Sequence, residues 1–295
     1  MSERRGAEVI AIFGPTASGK SVVAETVATR LDTEVVSADA LQVYRGLPIL
    51  TNQPARPTRL VAIRTLAEQM TVGAFAPLAH AEIDALVSDH GAAVVAGGTG
   101  LYLRAALADM RLPPPVDEAT LARAAREVGD DPARAHARLA TIDPDAAEAV
   151  HPNDRQRLVR ALALAETGAS LARSEDRLWA ADTRRPTLIV GLDLSRETLE
   201  RRIRERAEAM FARGVVDEVR AALERPLSRT VEKTLGLREI ASLEPDAALE
   251  RIVVRTRRYA AYQRKWMRRI PAIVLVDADR EPAEIADEIV ALAGR

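Results

Sequence analysis

The chain has 295 residues, 47% of them hydrophobic and 29% charged, with a formal net charge of −1, which is typical of a soluble protein with one large domain or a domain plus an insertion. The sequence has no cysteine, which excludes disulfides and thiolate chemistry and favours a reducing, cytoplasmic setting. No segment approaches the ~18 apolar residues of a membrane span, and the near-neutral charge restricts any nucleic-acid surface to a local patch.

An apolar run, a glycine-framed loop and a helix follow one another near the start of the chain. Val9–Phe13 predicts a buried strand, and Ser21–Leu31 is rich in Ala and Val, which predicts a helix. The loop between them fits G-x-x-x-x-G-K-S/T, the phosphate-cradling P-loop, with Gly14, Pro15, Thr16, Ala17, Ser18, Gly19, Lys20 and Ser21. Several backbone N–H groups then converge at a helix N-terminus. The pattern predicts a diphosphate or triphosphate site, either for a nucleotide or for another pyrophosphate.

Two further predicted strands bring polar residues to the same edge of the sheet. Thr33–Val36 is a short strand that delivers Asp39, and Ala92–Ala96 ends in a second glycine turn at Gly97–Tyr102. Ligands of open parallel sheets bind at the carboxyl ends of the strands, so we expect both segments close to the phosphates. Asp39 itself is either a helix N-cap or a group of the site, and the residues alone leave both interpretations open.

The middle of the chain is mostly helical in pattern. Pro77–His90 predicts an amphipathic helix, after a segment broken by Pro and Gly. From Arg111 to about Arg185 the pattern predicts short helices separated by Asp-Pro steps, the last one capped by Asp154 and stopped by Gly168. A helical insertion in an α/β core is the simplest interpretation. The predicted domains are a P-loop core over residues 1–112 and 187–295 and a helical insertion over residues 113–186.

The last third of the chain returns to the core. Thr187–Leu194 and Ala272–Asp277 predict strands, and Pro282–Leu292 predicts a terminal helix. A P-loop NTPase normally has an acid at a strand end to hold Mg²⁺. Asp193 and Asp277 follow strands, but the strand before Gly97 offers no acid. The residues therefore do not follow the metal arrangement of a standard ATPase.

The predicted helix Pro245–Arg269 has two stripes at three- and four-residue spacing. The apolar stripe faces the core and comprises Leu249, Ile252, Val253, Thr256, Ala260, Gln263, Trp266 and Met267. The basic stripe comprises Arg251, Arg255, Arg258, Tyr262, Lys265 and Arg269. From Arg251 to Arg269 there are eight basic side chains and no acidic one, and Tyr262 is a candidate for stacking. The stripe favours a track for polyphosphate or RNA backbone over a merely solvated face.

Six segments together are more specific than the P-loop alone. They are GPTASGKS at Gly14–Ser21, SADALQVYRG at Ser37–Gly46, GGTGLY at Gly97–Tyr102, HPNDRQRLVRAL at His151–Leu162, GLRE at Gly236–Glu239 and RTRRYAAYQRKWMRR at Arg255–Arg269. In this order, and through nearly the whole chain, they resemble the motifs of the tRNA dimethylallyltransferases, also called tRNA isopentenyltransferases. The resemblance implies an α/β fold with a P-loop NTPase-like parallel sheet flanked by helices and an α-helical insertion domain for tRNA binding.

The resemblance also implies the reaction. It is transfer of a dimethylallyl group from dimethylallyl diphosphate to N6 of the tRNA adenosine just 3′ of the anticodon, position 37, by a cytoplasmic monomer. The P-loop would grip the pyrophosphate of the donor, with Mg²⁺ at Ser21, and Thr99 and Arg206 would contact the same diphosphate. Asp39 would accept a hydrogen bond from the adenine amino group as catalytic base. The adenosine would be flipped out of its stack.

The residues that the resemblance assigns to tRNA contacts are Asp39, Ala40, Leu41, Gln42, Gln156, Arg157, Leu158, Val159 and Arg160, and the basic helix adds Arg255 and Arg258. The sequence departs from the usual motifs at Ala40, Gln53, Ala62 and Leu237. The main alternative is a P-loop kinase for a small molecule or nucleotide, with Asp39 as base and Arg202 and Arg206 on ATP. A second is an RNA-binding protein with a nucleotide switch. The kinase does not explain the HPNDRQR segment or the basic helix, and the absence of a clear metal-holding acid at a strand end argues against the nucleotide switch.

Overall fold

Five parallel strands form the central sheet in a computed structural model that describes residues 6–110, 112–171 and 182–295. The strands are β1 Val9–Phe13, β2 Val35–Ser37, β3 Ala93–Gly97, β4 Thr187–Asp193 and β5 Val274–Asp277, in the order β2-β3-β1-β4-β5. Phe13 pairs with Gly97 on one side and with Gly191 on the other. The predicted parallel sheet is confirmed, and β1 is buried along its whole length because neighbours cover it on both edges and both faces.

The strand order places a topological switch point beside β1. From β1 the chain runs to β2, which lies towards one edge of the sheet. From the neighbouring β3 it runs to β4, which lies towards the opposite edge. In open α/β sheets, ligands bind where the connections of neighbouring strands diverge in this way. The loops after β1 and β3 are the P-loop and the second glycine turn. The topology therefore places both glycine-rich segments at one crevice.

Helices account for most of the remaining residues. They are α1 Lys20–Arg30, α2 Val72–His90, α3 Gly100–Leu107, α4 Glu118–Asp130, α5 Pro132–Ile142, α6 Pro144–Ala149, α7 Arg155–Glu166, α8 Arg196–Ala212, α9 Val215–Leu223, α10 Leu237–Ser242, α11 Pro245–Met267 and α12 Pro282–Leu292. No helix within the described ranges combines the length and apolar character needed to cross a bilayer.

The described residues divide into two compact units. One comprises the residues up to Asp109 together with those from Asp182 onward, and the other comprises those from Met110 to Leu171. The sequence analysis placed residues 182–186 in the insertion, but they belong to the sheet unit. Arg185 forms ion pairs with Glu8 and Asp84, which hold this segment to the sheet before β4 begins.

Apolar side chains from both ends of the chain form the core of the sheet unit. Ile10 of β1, Val27 of α1 and Ile289 of α12 are fully buried in one cluster. Burial of side chains of this size contributes roughly 1.5–3 kcal/mol each. This packing holds α1 against the sheet and fixes the position of the loop that precedes it.

The helical unit contains α4 to α7 around its own apolar cluster. Leu139, Leu158 and Leu162 are fully buried there. Each helix begins after an aspartate whose side chain accepts a backbone N–H three residues on, and these caps are Asp117, Asp131, Asp143 and Asp154. Proline at the first position of α5 and α6 loses no hydrogen bond, because the first N–H groups of a helix have no intrahelical partner. The predicted Asp-Pro boundaries are confirmed.

One predicted boundary in the sheet unit is wrong. Helix α2 begins at Val72, five residues before the predicted Pro77. The Thr71 hydroxyl accepts the Ala74 N–H and caps the helix at 3.1 Å. Pro77 lies near the start of the helix, where it removes one bond to the Gly73 carbonyl without ending the element.

Candidate active site

The loop between β1 and α1 curls around the N-terminus of α1. Ala17 and Gly19 have positive φ angles of 66° and 85°, and Gly19 is the N-cap of α1. Such left-handed residues turn successive N–H groups towards one centre. A Cβ atom on Gly14 would lie 2.6 Å from the Ser18 hydroxyl, so the loop closes this tightly only with glycine there. The local geometry is that of an anion cradle.

The cradle contains a buried polar group that the described protein atoms leave unsatisfied. Ser18 is 2% exposed, and its Oγ has no hydrogen-bond partner among the described residues. A buried hydroxyl without a partner is costly, by roughly 1–3 kcal/mol. A ligand oxygen in the loop would satisfy it.

The second glycine turn touches the P-loop. A Cβ atom on Gly98 would lie 3.2 Å from the Gly14 carbonyl oxygen and 3.4 Å from Cε of Lys20. Thr99 precedes α3 without a side-chain cap bond and lies close enough to Tyr259 of α11 to oppose the rise that burial causes in the pKa of that tyrosine. The two turns therefore converge on one crevice, as the sequence predicts.

Lys20 is a buried cation at the base of this crevice. Its Nζ donates to the Pro15 carbonyl at 3.4 Å. Burial lowers the pKa of Lys20 to about 8, Asp39 opposes the shift, and Arg206 adds to it. The protein alone therefore does not fully stabilise the ammonium charge of Lys20. An anion bound in the loop would stabilise it further and raise the pKa.

Asp39 both caps a turn and faces the crevice. Its Oδ1 accepts the N–H groups of Leu41 at 2.9 Å and Gln42 at 3.4 Å. The helix N-cap interpretation is wrong, because these bonds close a turn and none of the described helices begins there. No hydrogen bond from a described residue reaches Oδ2. The charge of Asp39 contributes to the pKa shifts of groups on four other segments, namely Lys20, Tyr102, Arg206 and Tyr259. One oxygen is anchored, and the other is available to a ligand.

The arginines of α8 fall into two sets. The outward set forms ion pairs with glutamates and comprises Arg196, Arg201 and Arg204. Two others lie one turn apart and face the P-loop: Arg206 donates to the Thr16 hydroxyl at 2.8 Å, and Arg202 donates to the Ser18 carbonyl at 3.4 Å. Burial lowers the pKa of Arg206, and Asp39 opposes this shift. Arg206 is thus brought together with Lys20 and Asp39.

Sequence reasoning missed Gln263, which it placed on an apolar stripe. The side chain is 4% exposed. Its Oε1 accepts the Thr16 N–H at 2.8 Å, and its Nε2 donates to the Gly98 carbonyl at 2.7 Å. The available signal was a single amide among apolar residues, because a buried amide requires polar partners.

Two other side chains that sequence reasoning left without a role belong to the same region. The Tyr102 hydroxyl donates to the Met70 carbonyl at 3.3 Å, and its ring lies 4.8 Å from that of Phe75. Burial raises the pKa of Tyr102 and of Tyr259. Tyr102 is 6% exposed, so its ring excludes water from its side of the crevice, whereas Tyr259 is 39% exposed.

The basic stripe of α11 is less uniform than predicted. Arg255 forms an ion pair with Glu239 of α10, whose side chain is 8% exposed. Arg264 pairs with Asp193 at 2.9 Å. Arg258 is exposed and forms no ion pair with any described residue. The prediction that acids are absent from this surface is wrong for Arg255, because its partner comes from another helix.

The strand-end acids are engaged elsewhere. Asp193 is bound by Arg264, and Asp277 Oδ1 accepts the Asp279 N–H at 2.9 Å. No group of three or more His, Cys, Asp or Glu side chains in the described part of the chain could hold a metal ion. Ser21 is the second residue of α1. A hydroxyl there fits a Mg²⁺ ion that takes most of its other ligands from phosphate oxygens and water.

The first predicted tRNA-binding segment lies near Asp39. Ala40 and Leu41 are half-buried in the turn that Asp39 caps. The Gln42 amide accepts from the Ser37 hydroxyl at 2.8 Å and donates to the Asn52 carbonyl at 2.9 Å. Gln42 therefore supports the turn.

The second predicted tRNA-binding segment lies on α7 of the helical unit. Gln156 and Arg157 are exposed. Leu158 is fully buried in the core of the unit, and Val159 packs against that core. Arg160 donates to the Pro114 carbonyl at 2.8 Å. The assignment of the Leu158 side chain to tRNA contact is wrong, because the helical repeat turns it inward.

Comparison with known proteins gives one consistent family. The chain matches the family model described as IPP transferase over residues 42–270 and that described as isopentenyl transferase over residues 7–64. The tRNA dimethylallyltransferase of Anaeromyxobacter dehalogenans is 39% identical over 280 residues, covering 88% of this chain and 90% of the relative. That of Mycobacterium tuberculosis is 37% identical over 310 residues, covering 96% and 98%.

Solved structures give the same result. A full-length tRNA isopentenylpyrophosphate transferase from Bacillus halodurans is 28% identical with a TM-score of 0.68, and the match covers 98% of this chain and 97% of that one. A eukaryotic dimethylallyltransferase described as acting on tRNA is 25% identical with a TM-score of 0.73, covering 92% and 73%. The fold and its order of elements are thus shared over nearly the whole chain.

Proposed function

The chain belongs to the IPP transferase family, and from its site we propose that it transfers a dimethylallyl group from dimethylallyl diphosphate to N6 of the adenosine 3′ of the anticodon in tRNA. The observation that carries this proposal is the position of Asp39. Its free Oδ2 lies beside a cationic cradle formed by the P-loop, Lys20 and Arg206. A base and an acceptor for a leaving anion are thus side by side.

The donor end of the reaction follows from the cradle. When the bond between the allylic carbon and the diphosphate oxygen breaks, negative charge builds on that oxygen. Loop N–H groups, Lys20 and Arg206 are fixed where they can stabilise this charge. A Mg²⁺ ion held by Ser21 and the phosphates would supply further charge neutralisation when bound.

The acceptor end follows from Asp39. The lone pair of an adenine amino group is delocalised into the ring, so the nitrogen is a weak nucleophile. As N6 forms the new bond to carbon, it loses a proton, and Asp39 Oδ2 is placed to accept it. The buried ring of Tyr102 would limit the access of water, which would otherwise compete for the allylic carbon.

The amino group of a stacked adenosine cannot reach a carboxylate inside a crevice, so the base must be flipped out of its stack. The exposed side chains Arg258 and Tyr262 of α11, the latter 57% exposed, suit RNA backbone and base stacking. In the helical unit, the exposed Gln156 and Arg157 are further candidates for RNA contact. The kinase alternative is not favoured, because the two family matches together cover the P-loop and the basic helix α11.

The test is transfer of label from dimethylallyl diphosphate to an anticodon stem-loop with adenosine at the expected position. A stem-loop with guanosine there is the control and should stay unlabelled. Asp39→Asn keeps the Oδ1 cap of the turn, and it should lower kcat by about 10²–10⁴-fold while the KM for the donor changes little. Transfer of phosphate from ATP with no prenyl transfer would contradict the proposal. An unchanged kcat in Asp39→Asn would contradict the role of Asp39 as catalytic base.

A further inference from the structure

Gln263 connects the two glycine turns of the site through one amide group. It receives the Thr16 N–H at 2.8 Å and donates to the Gly98 carbonyl at 2.7 Å. These partners lie 247 and 165 residues away in the sequence, and the side chain is 4% exposed. The amide oxygen accepts one hydrogen bond and the amide nitrogen donates another, and both partners belong to segments that form the predicted diphosphate site.

The surroundings are built to accept this amide. A Cβ atom on Gly98 would lie 2.5 Å from Gln263 Nε2, so any other residue at position 98 would displace it. Thr16 is also held from the opposite side, because Arg206 donates to its hydroxyl at 2.8 Å. The first half of the P-loop is therefore fixed by two helices, α8 and α11.

Helix α11 contacts the second glycine turn at three successive positions on one face. Tyr259 lies beside Thr99, which influences the pKa of its hydroxyl, and Gln263 donates to the Gly98 carbonyl. The ring of Trp266 fills the space next to Gly100, where an added Cβ atom would lie 2.1 Å from Cε3. Residues spaced by four and three share a helix face. The helix is thus docked along the turn, and Gln263 is the one side chain of the three that also reaches the P-loop.

We propose that Gln263 is a positioning residue for the donor site. It sets the spacing of the two turns so that Lys20 and Thr99 meet the same diphosphate. The inference rests on the proposed function for the identity of the donor. Its physical basis is independent of the reaction, because an amide is a neutral side chain that both donates and accepts.

The experiment compares Gln263→Met with the wild type and with Met267→Ala as a matched control. Met267 lies one turn further along α11, is 2% exposed and packs near Gly191 of β4, and its side chain makes no hydrogen bond to Thr16 or Gly98. We would measure the dissociation constant of inorganic pyrophosphate at fixed magnesium, the KM for the donor, the affinity for RNA and the melting temperature. Gln263→Met should raise the dissociation constant of pyrophosphate and the KM for the donor about tenfold, which corresponds to the loss of one hydrogen bond. The affinity for RNA should stay within about twofold of the wild-type value.

The control separates positioning from stability. Met267→Ala should lower the melting temperature by creating a cavity without weakening pyrophosphate. If both variants lost pyrophosphate affinity to the same extent, the proposal would be overturned. A folded Gln263→Met protein with wild-type pyrophosphate affinity would also overturn it. If the wild type binds pyrophosphate but transfers no prenyl group, the proposed function fails while the comparison of the variants still stands.

A second variant covers the case in which Gln263→Met does not fold. Gln263→Glu keeps the acceptor for Thr16 N–H, loses the donor to Gly98 and introduces a charge near Lys20. Protonation of the carboxyl restores the donor. The ratio of variant to wild-type dissociation constants for pyrophosphate should therefore fall towards one as the pH is lowered. A ratio that does not change with pH would contradict the proposed hydrogen bond to Gly98.

Discussion

The depressed pKa of Lys20 gives the sharpest test of the donor site. Burial lowers this pKa from 10.5 to about 8, so the free enzyme loses the ammonium charge as the pH rises through about 8. A diphosphate is already fully ionised there, because its last proton dissociates near pH 6. A fall of kcat/KM for the donor at alkaline pH should therefore reflect the deprotonation of Lys20.

The magnitude follows from the fraction of Lys20 that is protonated. One pH unit above the pKa, only about one molecule in eleven keeps the proton, so kcat/KM for the donor should be about tenfold lower at pH 9 than at pH 7. The assay is prenyl transfer at saturating RNA across about pH 6 to 10. Lys20→Arg is the matched variant, since guanidinium stays protonated throughout.

In Lys20→Arg, kcat/KM for the donor should therefore be lower than in the wild type at neutral pH, and it should not fall as the pH rises through about 8. A wild-type profile that stays flat to pH 10 would refute the reasoning, and so would the same alkaline fall in the arginine variant. Stability gives a second readout with its own sign. Because the folded pKa lies below the unfolded one, the free protein should become more stable as the pH rises from about 8 to 10.5, by up to about 3 kcal/mol.

Four further substitutions test separate parts of the structure. Arg206→Met should lower donor kcat/KM by about 10²–10³-fold in steady-state assays without loss of RNA binding; equal loss of both would indicate misfolding. Glu239→Gln should lower the free energy of unfolding in urea by about 1–3 kcal/mol at neutral pH. Burial of Glu239 raises its pKa, but Arg255 and the backbone N–H groups that bond the carboxylate together outweigh burial and lower the pKa. The stability difference between wild type and variant should therefore shrink as the pH falls through that pKa. Arg258→Ala should reduce the salt dependence of RNA binding by about one unit of slope, whereas Arg255→Ala should mainly reduce stability; identical salt slopes in both would contradict this assignment.

The parts of the fold that could be predicted from sequence are those whose cause is local. Val9–Phe13 is a strand because five apolar residues precede a glycine loop, and the loop closes because Gly14 and Gly19 permit a close approach and a left-handed turn. The aspartate caps of the helical unit are equally local, since each cap bonds an N–H three residues on. In these cases the residue and its partner lie within one turn of each other.

The parts that could not be predicted depend on distant partners or on side-chain direction. Gln263 was assigned to the core because its helix face is apolar, and nothing near it in sequence identifies Thr16 or Gly98 as its partners. Arg255 looked free because its acid, Glu239, lies on the preceding helix. The motif resemblance identified the segment around Leu158, but a motif does not say which of its side chains the helical repeat turns inward.

The charges of the site favour the bond-breaking step at the diphosphate. Lys20, Arg202 and Arg206 face the P-loop, and Asp39 is the carboxylate whose charge opposes the pKa shifts of Lys20 and Arg206. The crevice is therefore net positive before a ligand binds, and burial of that excess is what depresses the pKa of Lys20. A free diphosphate carries more negative charge than its allylic ester, so the same cations interact more strongly as the carbon–oxygen bond breaks. Groups that gain interaction energy only along the reaction lower the barrier, and here their gain is greatest on the leaving group while Asp39 offsets the positive charge that develops on the attacking nitrogen.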